Sequence, residues 1–468
     1  MHCAGRERYS LPKCTGLNSR RQPAVGTKRK TLRSKRMAVN TYDQSDYLFP
    51  AEWEPHEATW LAWPHKASDW PGKLPAIHWV YGEIVRKLAV GEKVHIVVDD
   101  PAVERRARSV LTAARADMTQ VEFFRFSTDR GWMRDSGPIF LRRAATGAAN
   151  TRAPALSPSA PSPSAPSSSA ISPAAAGIGV TGAAATGAAK RRPKTTSYRQ
   201  PQHQHCGDTT DSGASTAGDS LVVADFHFNG WAKYADWKRD RLVPRRVSRI
   251  LGLPLVSAEL RGRKVVLEGG GVDVNGRGTV LTTEECYLDQ QVQVRNPGFT
   301  RDDYQAVFRR YLGASNVLWL GRGIAGDDTH GHVDDVCRFV GPSTVVLCQC
   351  RNRQDPDYRA LEENFERLQD YRLEDGRRVE IVRLPMPEPL YWRQQRLPAS
   401  YANFYIANAV VLVPTFNDPA DRQALGILAE LFADRTVVGI HAGDLVLGLG
   451  TLHCLTQQQP CRQQPRTA

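Results

Sequence analysis

Short runs of β-branched and aromatic residues alternate along this chain with stretches whose apolar positions recur at helical spacing. Residues 94–98, 121–126, 221–228, 265–267, 317–320, 344–347, 379–382, 410–413 and 436–440 read as strands bounded by turn residues. Between them, 78–90, 101–115, 301–313, 357–370 and 419–433 carry the 3.6-residue pattern of amphipathic helices. Asn296-Pro297 and Asp418-Pro419 supply turn or start signals, and Gly313 supplies a stop for the third helix. The pattern predicts an α/β chain of repeated strand-helix units, although no repeat is legible in the residues themselves.

One segment breaks the pattern. Residues 144–219 are dominated by Ala, Ser, Pro, Gly and Thr and end in a polar run containing His203, His205 and Cys206. Such a stretch buries too little apolar surface to offset its ordering entropy, so a disordered insert is expected there. Candidate chemistry lies on both sides of it, which favours a loop inside a single domain, 41–460, over a linker between two. Residues 1–40 form a basic leader, with the composition of an organellar transit peptide, an unstructured extension, or a segment preceding a start at Met37. Residues 461–468 form a tail.

Charge changes the picture only outside the body. The formal net charge is +13, of which 1–40 carry +10 and 144–219 carry +3, leaving the remainder neutral. A basic surface for nucleic acid is therefore not expected on the folded part. No stretch approaches the roughly 20 apolar residues of a membrane-spanning helix. The nine cysteines are odd in number and irregularly spaced, which reads as a reduced, cytoplasmic protein, or an organellar one if the leader is a transit peptide. Cys348-Gln-Cys350 has no second ligand pair in the sequence and reads as structural.

Four segments carry chemistry-bearing residues. Trp132-Met-Arg-Asp135-Ser-Gly-Pro138 holds an Arg-Asp pair between an aromatic and a Gly-Pro turn, where an ion pair closing the turn is the plainer alternative. Glu268 precedes three glycines at a strand end, and a carboxylate there fixes a histidine tautomer or sits solvated in a turn. In Gly326-Asp-Asp-Thr-His-Gly-His332-Val-Asp334, His332 and Asp334 face one way if the segment is extended. With His330 they also resemble a metal set, but no further ligand is in view. Cys454 lies in Leu449-Gly-Thr-Leu-His-Cys-Leu-Thr-Gln-Gln-Gln-Pro460. A thiol, an imidazole and two aspartates suit attack on the carbon of a guanidinium group.

Taken in order, these segments resemble the agmatine deiminases of the guanidine-modifying superfamily. Phe49-Pro-Ala-Glu-Trp-Glu-Pro-His56, Thr283-Glu-Glu-Cys286, Arg295-Asn-Pro297 and Ser400-Tyr-Ala-Asn-Phe-Tyr-Ile-Ala-Asn408 extend the likeness across about 48–143 and 220–460. The resemblance implies a pentein fold, a five-bladed α/β propeller around an axial site. It implies Cys454 as nucleophile, His332 as acid/base, Glu268 as its orienting partner, and Asp135 with Asp334 as the guanidinium clamp. Asp328 falls where the family has an acidic residue near the substrate pocket, and Trp132 where it has an aromatic. The implied reaction is deimination of agmatine to N-carbamoylputrescine and ammonia in putrescine biosynthesis, with no metal or cofactor, by a homodimer. Before the nucleophile the family reads Gly-Gly-Asn-Ile-His-Cys, so Leu449 and Thr451 depart from its pattern, with an altered backbone approach to the thiol as the expected consequence.

Overall fold

Helix starts follow from local capping chemistry. In a computed structural model of the chain, which describes residues 47–143 and 221–462, Asp100 accepts hydrogen bonds from the Ala102 and Val103 amides at the start of the helix Pro101–Ala113. Thr300 with Asp303, and Asp418 with Asp421, form reciprocal capping boxes at Arg301–Val307 and Pro419–Leu431. The helix from Arg301 widens into a π-type turn over Phe308–Leu312 and stops at Gly313, whose φ of 69° is left-handed. The proposed leader 1–40, the insert 144–219 and residues 463–468 of the tail lie outside the described residues.

The strands form a mixed α/β architecture of five sheets with three or four strands each, plus two short two-stranded ladders, among the described residues. Each of the five sheets joins an antiparallel pair to a parallel pair. A helix makes the crossover between parallel neighbours: Leu74–Leu88 joins His56–Ala62 to Lys93–Val98, and Pro356–Asp370 joins Thr344–Gln349 to Glu380–Pro385. Parallel strands covered by helices need apolar residues on both faces, which explains the buried run of Lys93–Val98 after its exposed first residue. The strand Gln457–Pro460, directly after the Cys454 segment, pairs antiparallel with His56–Ala62 and so ties the chain end to the first long strand. All described residues fall in one compact unit.

One sequence expectation changes. Residues 265–267 make a single bridge, His227 to Val266, rather than a strand. The side chain of Asn296 takes the place of a strand partner, accepting from the Val266 amide at 2.9 Å and donating to its carbonyl at 2.8 Å. Cys286, Cys337, Cys348, Cys350 and Cys454 are free, buried thiols. Cys348 is buried against the Ser400 hydroxyl at 3.3 Å, a packing role consistent with its structural reading. No helix among the described residues is long and apolar enough to cross a membrane.

Candidate active site

The thiol is delivered by a tight, glycine-dependent turn. Leu449 adopts φ 66°, a left-handed conformation that costs a leucine about 1–2 kcal/mol and accounts for glycine in the resembled pattern. Gly450 has no such conformation, but a Cβ there would lie 2.9 Å from the Trp132 ring and 3.2 Å from Cys454 Sγ. The short helix Leu452–Leu455 then turns Cys454 inward, 5% exposed. Asn403 holds this turn together. Its Oδ1 accepts from Thr451 Oγ1 at 2.8 Å and from the His453 amide at 3.0 Å, and its Nδ2 donates to Cys454 Sγ at 3.1 Å and to Asp335 Oδ1 at 3.0 Å. Thr451 is thus an integral part of the turn.

Opposite the thiol stand the residues that the sequence singled out. Asp334 Oδ2 lies 3.6 Å from Cys454 Sγ. His332 Nδ1 is 3.8 Å from Asp135 Oδ1 and 4.0 Å from Asp334 Oδ1, and its Nε2 is 3.8 Å from Glu268 Oε2. These separations exceed hydrogen-bond reach, so the attraction is Coulombic. Both ring nitrogens of His332, Glu268 Oε2 and Asp334 Oδ1 are buried without a hydrogen-bond partner among the described residues. Buried polar groups left unpaired by their own fold are expected where a ligand is to be held.

Gly270 makes this convergence possible. A Cβ on it would meet His332 Nδ1 at 2.5 Å, Asp135 Oδ1 at 2.9 Å and Asp334 Oδ2 at 3.1 Å. Its amide donates to Asp135 Oδ1 at 3.0 Å, while Trp231 Nε1 donates to Asp135 Oδ2 at 2.9 Å. The glycine run is therefore a 3-10 turn set against the carboxylates, and His332 with Asp334 share one side through the turn Val333–Asp335 rather than through an extended strand.

Electrostatics follow from burial among acids. Burial opposes the charge on His332, yet Asp135, Glu268 and Asp334 outweigh it and raise the imidazolium pKa to about 9. Burial pushes the Cys454 thiol well up, and Asp334, Asp335 and Asp135 push it further, against the Asn403 hydrogen bond. The acids around the site thus favour a protonated thiol beside an imidazolium. Burial also raises Asp135, whereas for Glu268 burial is overcome by Arg295, whose Nε sits 3.2 Å from Oε1, and by His332.

Three further residues belong to the site and were missed as functional residues. His453 spans two carboxylates, with Nδ1 2.7 Å from Asp334 Oδ2 and Nε2 2.8 Å from Glu52 Oε2. Glu52 also receives Arg134 Nη2 and Arg338 Nη2, each at 3.0 Å, and these cations hold its carboxyl well below the usual range despite full burial. This network fixes the rotamer of Asp334 from behind. Arg134 thus pairs with Glu52, and Asp135 is free of the ion pair that a closed Arg-Asp turn would need. Asn403 and Glu52 each stand as a polar residue in a motif that resembled the family, the one available signal.

The remaining candidates are held by other partners. Asp328 is paired with Lys233 and accepts from the Tyr234 hydroxyl at 2.7 Å. Trp132 donates from Nε1 to Asp69 Oδ2 at 3.1 Å and packs beside Trp70, with its ring against the turn at Gly448 and Gly450. His330 turns away to Asp289, 2.8 Å from Nε2, so the trio of His330, His332 and Asp334 does not form a ligand set. The one close group of potential metal ligands among the described residues is Glu268, Cys286 and His332.

Residues 48–154 and 207–460 match the family model of the Porphyromonas-type peptidyl-arginine deiminases. The chain belongs to this family. Among known relatives, it is 29% identical to an agmatine deiminase of Medicago truncatula over 90% of this chain and 98% of the relative. It is 28% identical to an agmatine deiminase of Stutzerimonas stutzeri with the same coverage. The solved agmatine deiminase of Enterococcus faecalis superposes with a TM-score of 0.66 at 24% identity, covering 89% of this chain and 97% of that one, which bears on the fold alone.

Proposed function

We propose that the protein hydrolyses agmatine to N-carbamoylputrescine and ammonia through a covalent intermediate on Cys454, as a step of putrescine formation. The observation that carries the reading is the meeting of Cys454, His332, Glu268, Asp135 and Asp334, drawn from four distant segments into one buried site. A planar guanidinium offers N–H edges to the two aspartates, and its charge offsets the acids that hold the thiol protonated. Cys454 then loses its proton to solvent and attacks the guanidinium carbon. His332 protonates the departing nitrogen, ammonia leaves, and the neutral imidazole next takes a proton from water attacking the thiouronium. Collapse expels the thiolate, which takes up the adduct's hydroxyl proton to restore the thiol, and releases the substituted urea. Glu268, anchored by Arg295, orients and stabilises the imidazolium.

Agmatine ends in an ammonium, for which Asp328 is the acidic partner; its present bond to Lys233 would be exchanged for the substrate amine. We read the five sheets as blades of a propeller with the thiol near its axis, and we expect a homodimer in the cytoplasm, or in an organelle if the leader directs it there. The test compares ammonia release from agmatine, free arginine and an arginyl peptide. Agmatine is expected to exceed arginine by about 100-fold or more in kcat/KM, because arginine's carboxylate would be buried unpaired. Equal turnover of agmatine and arginine, or preference for the peptide, would refute the assignment.

A further inference from the structure

Cys286 has no part in the chemistry proposed above, yet it lies beside the acid/base pair. Thr283 caps the short helix Glu284–Leu288 by accepting from the Cys286 amide at 3.1 Å, and the residue is left 2% exposed. One ligand atom each of Glu268, Cys286 and His332 lies within 4.8 Å of the other two. A buried cysteine is ordinarily only a small apolar side chain. Here the two residues beside it, Glu268 and His332, keep Oε2 and both ring nitrogens buried and without a hydrogen-bond partner among the described residues.

We propose that Glu268, Cys286 and His332 form a site for a thiophilic divalent cation such as Zn2+, whose binding excludes catalysis. Thiolate, imidazole and carboxylate are the donors that zinc takes at about 2.0–2.3 Å, which separates tetrahedral ligands by roughly 3.3–3.8 Å. His332 Nε2 and Glu268 Oε2 are 3.8 Å apart, so these two ligands are already nearly placed. The surroundings are suitable as well. Arg295 engages Glu268 through Oε1 and leaves Oε2 to the ion. The far nitrogen of His332 faces Asp135 and Asp334, the carboxylate arrangement that orients a metal-bound imidazole. The Arg295 cation opposes a second positive charge, whereas Asp135 and Asp334 attract it. Binding releases the Cys286 thiol proton and the His332 imidazolium proton to solvent. Since the ion takes both His332 and Glu268, it withdraws the acid/base and its orienting carboxylate from the reaction.

The inhibition readout rests on the proposed function, whereas metal binding is read separately. Co2+ added to the full-length wild type and to Cys454→Ser is expected to give a thiolate-to-cobalt charge-transfer band in both, absent from Cys286→Ser. Zn2+ is expected to inhibit agmatine turnover of wild type, and Cys286→Ser should raise the zinc needed by more than the roughly 100-fold upper cost of losing an outer-shell partner. Agmatine turnover of Cys286→Ser without metal reports its fold. Should serine's hydroxyl still hold the ion, Cys286→Ala removes the donor and decides. The proposal is overturned if no thiolate band forms, if the band is lost in Cys454→Ser, or if both Cys286 variants keep the band or the zinc sensitivity of wild type. A protein that does not turn over agmatine but shows the Cys286-dependent band would sink the substrate assignment and leave the metal site standing.

Discussion

Replacing Gly270 by alanine changes one methyl group and strikes the reacting groups directly. The new Cβ would sit 2.5 Å from His332 Nδ1, about 0.9 Å inside ordinary van der Waals contact at 3.4 Å, and would also crowd Asp135 Oδ1 and Asp334 Oδ2. These atoms are not the ends of flexible exposed chains. Asp135 is held by Trp231 and the Gly270 amide, and Asp334 by His453. Relief must therefore come from moving the imidazole, the clamp, or the turn itself by several tenths of an ångström. A misplacement near 1 Å costs catalysis on the order of 100-fold, or about 2.7 kcal/mol in activation free energy. The assay is kcat/KM for agmatine from ammonia release, beside thermal unfolding of the same variant. Gly426→Ala is the control: it lies within the helix Pro419–Leu431 with nothing within 4 Å of a Cβ, so kcat/KM should be unchanged and stability equal or higher by up to about 1 kcal/mol. A folded Gly270→Ala with kcat/KM within about threefold of wild type would refute the view that this site needs its carboxylates and imidazole at the observed separations.

Further outcomes follow from the same geometry. Because the free site carries a protonated thiol and an imidazolium that titrates at about 9, the productive thiolate-imidazolium pair requires one proton to leave; kcat/KM should climb with pH toward about 9, and a profile falling from about pH 7 to 9 would contradict it. For stability the sign is opposite: His332 is raised above its ordinary value, so its contribution is full below about 6.5 and is lost as pH rises through about 9, measurable by urea denaturation across that range. Asn403→Asp sets another carboxylate beside Sγ and Asp335, so the thiol rises further and kcat/KM should fall about 10–100-fold, while Asn403→Ala strands the Thr451 hydroxyl and should cost about 1–3 kcal/mol of unfolding free energy. A functional Asn403→Asp enzyme with an unshifted pH profile would remove Asn403 from the account.

The helices were legible because their signals are local. Asp418-Pro419 announces a start, and there, as at Asp100 and Thr300, the structure shows caps made by hydrogen bonds that span two or three residues. Residues 265–267 carried a strand's composition, but the outcome depended on the Asn296 side chain 30 positions away. Gln457–Pro460 had no apolar pattern to read: its glutamines are buried because Gln459 accepts from Trp60 Nε1 and Gln458 from Arg134 Nη1. The same contrast runs through the site. Cys454, His332, Glu268, Asp135 and Asp334 stood in motifs long enough to identify, and the fold brings them together. What supports them did not show, since the bonds of Glu52 to His453 and of Asn403 to Cys454 join positions separated by 401 and 51 residues. The raised thiol was equally hidden, being a property of burial among Asp334, Asp335 and Asp135 rather than of any motif.

Covalent attack by Cys454 on the guanidinium carbon makes agmatine turnover by Cys454→Ser the decisive measurement. The serine hydroxyl has no base poised to activate it, since His332 stands protonated to about 9. Ammonia release by the folded variant should fall by on the order of 10⁴-fold or more. A serine variant that turns agmatine over at the wild-type rate would contradict the account.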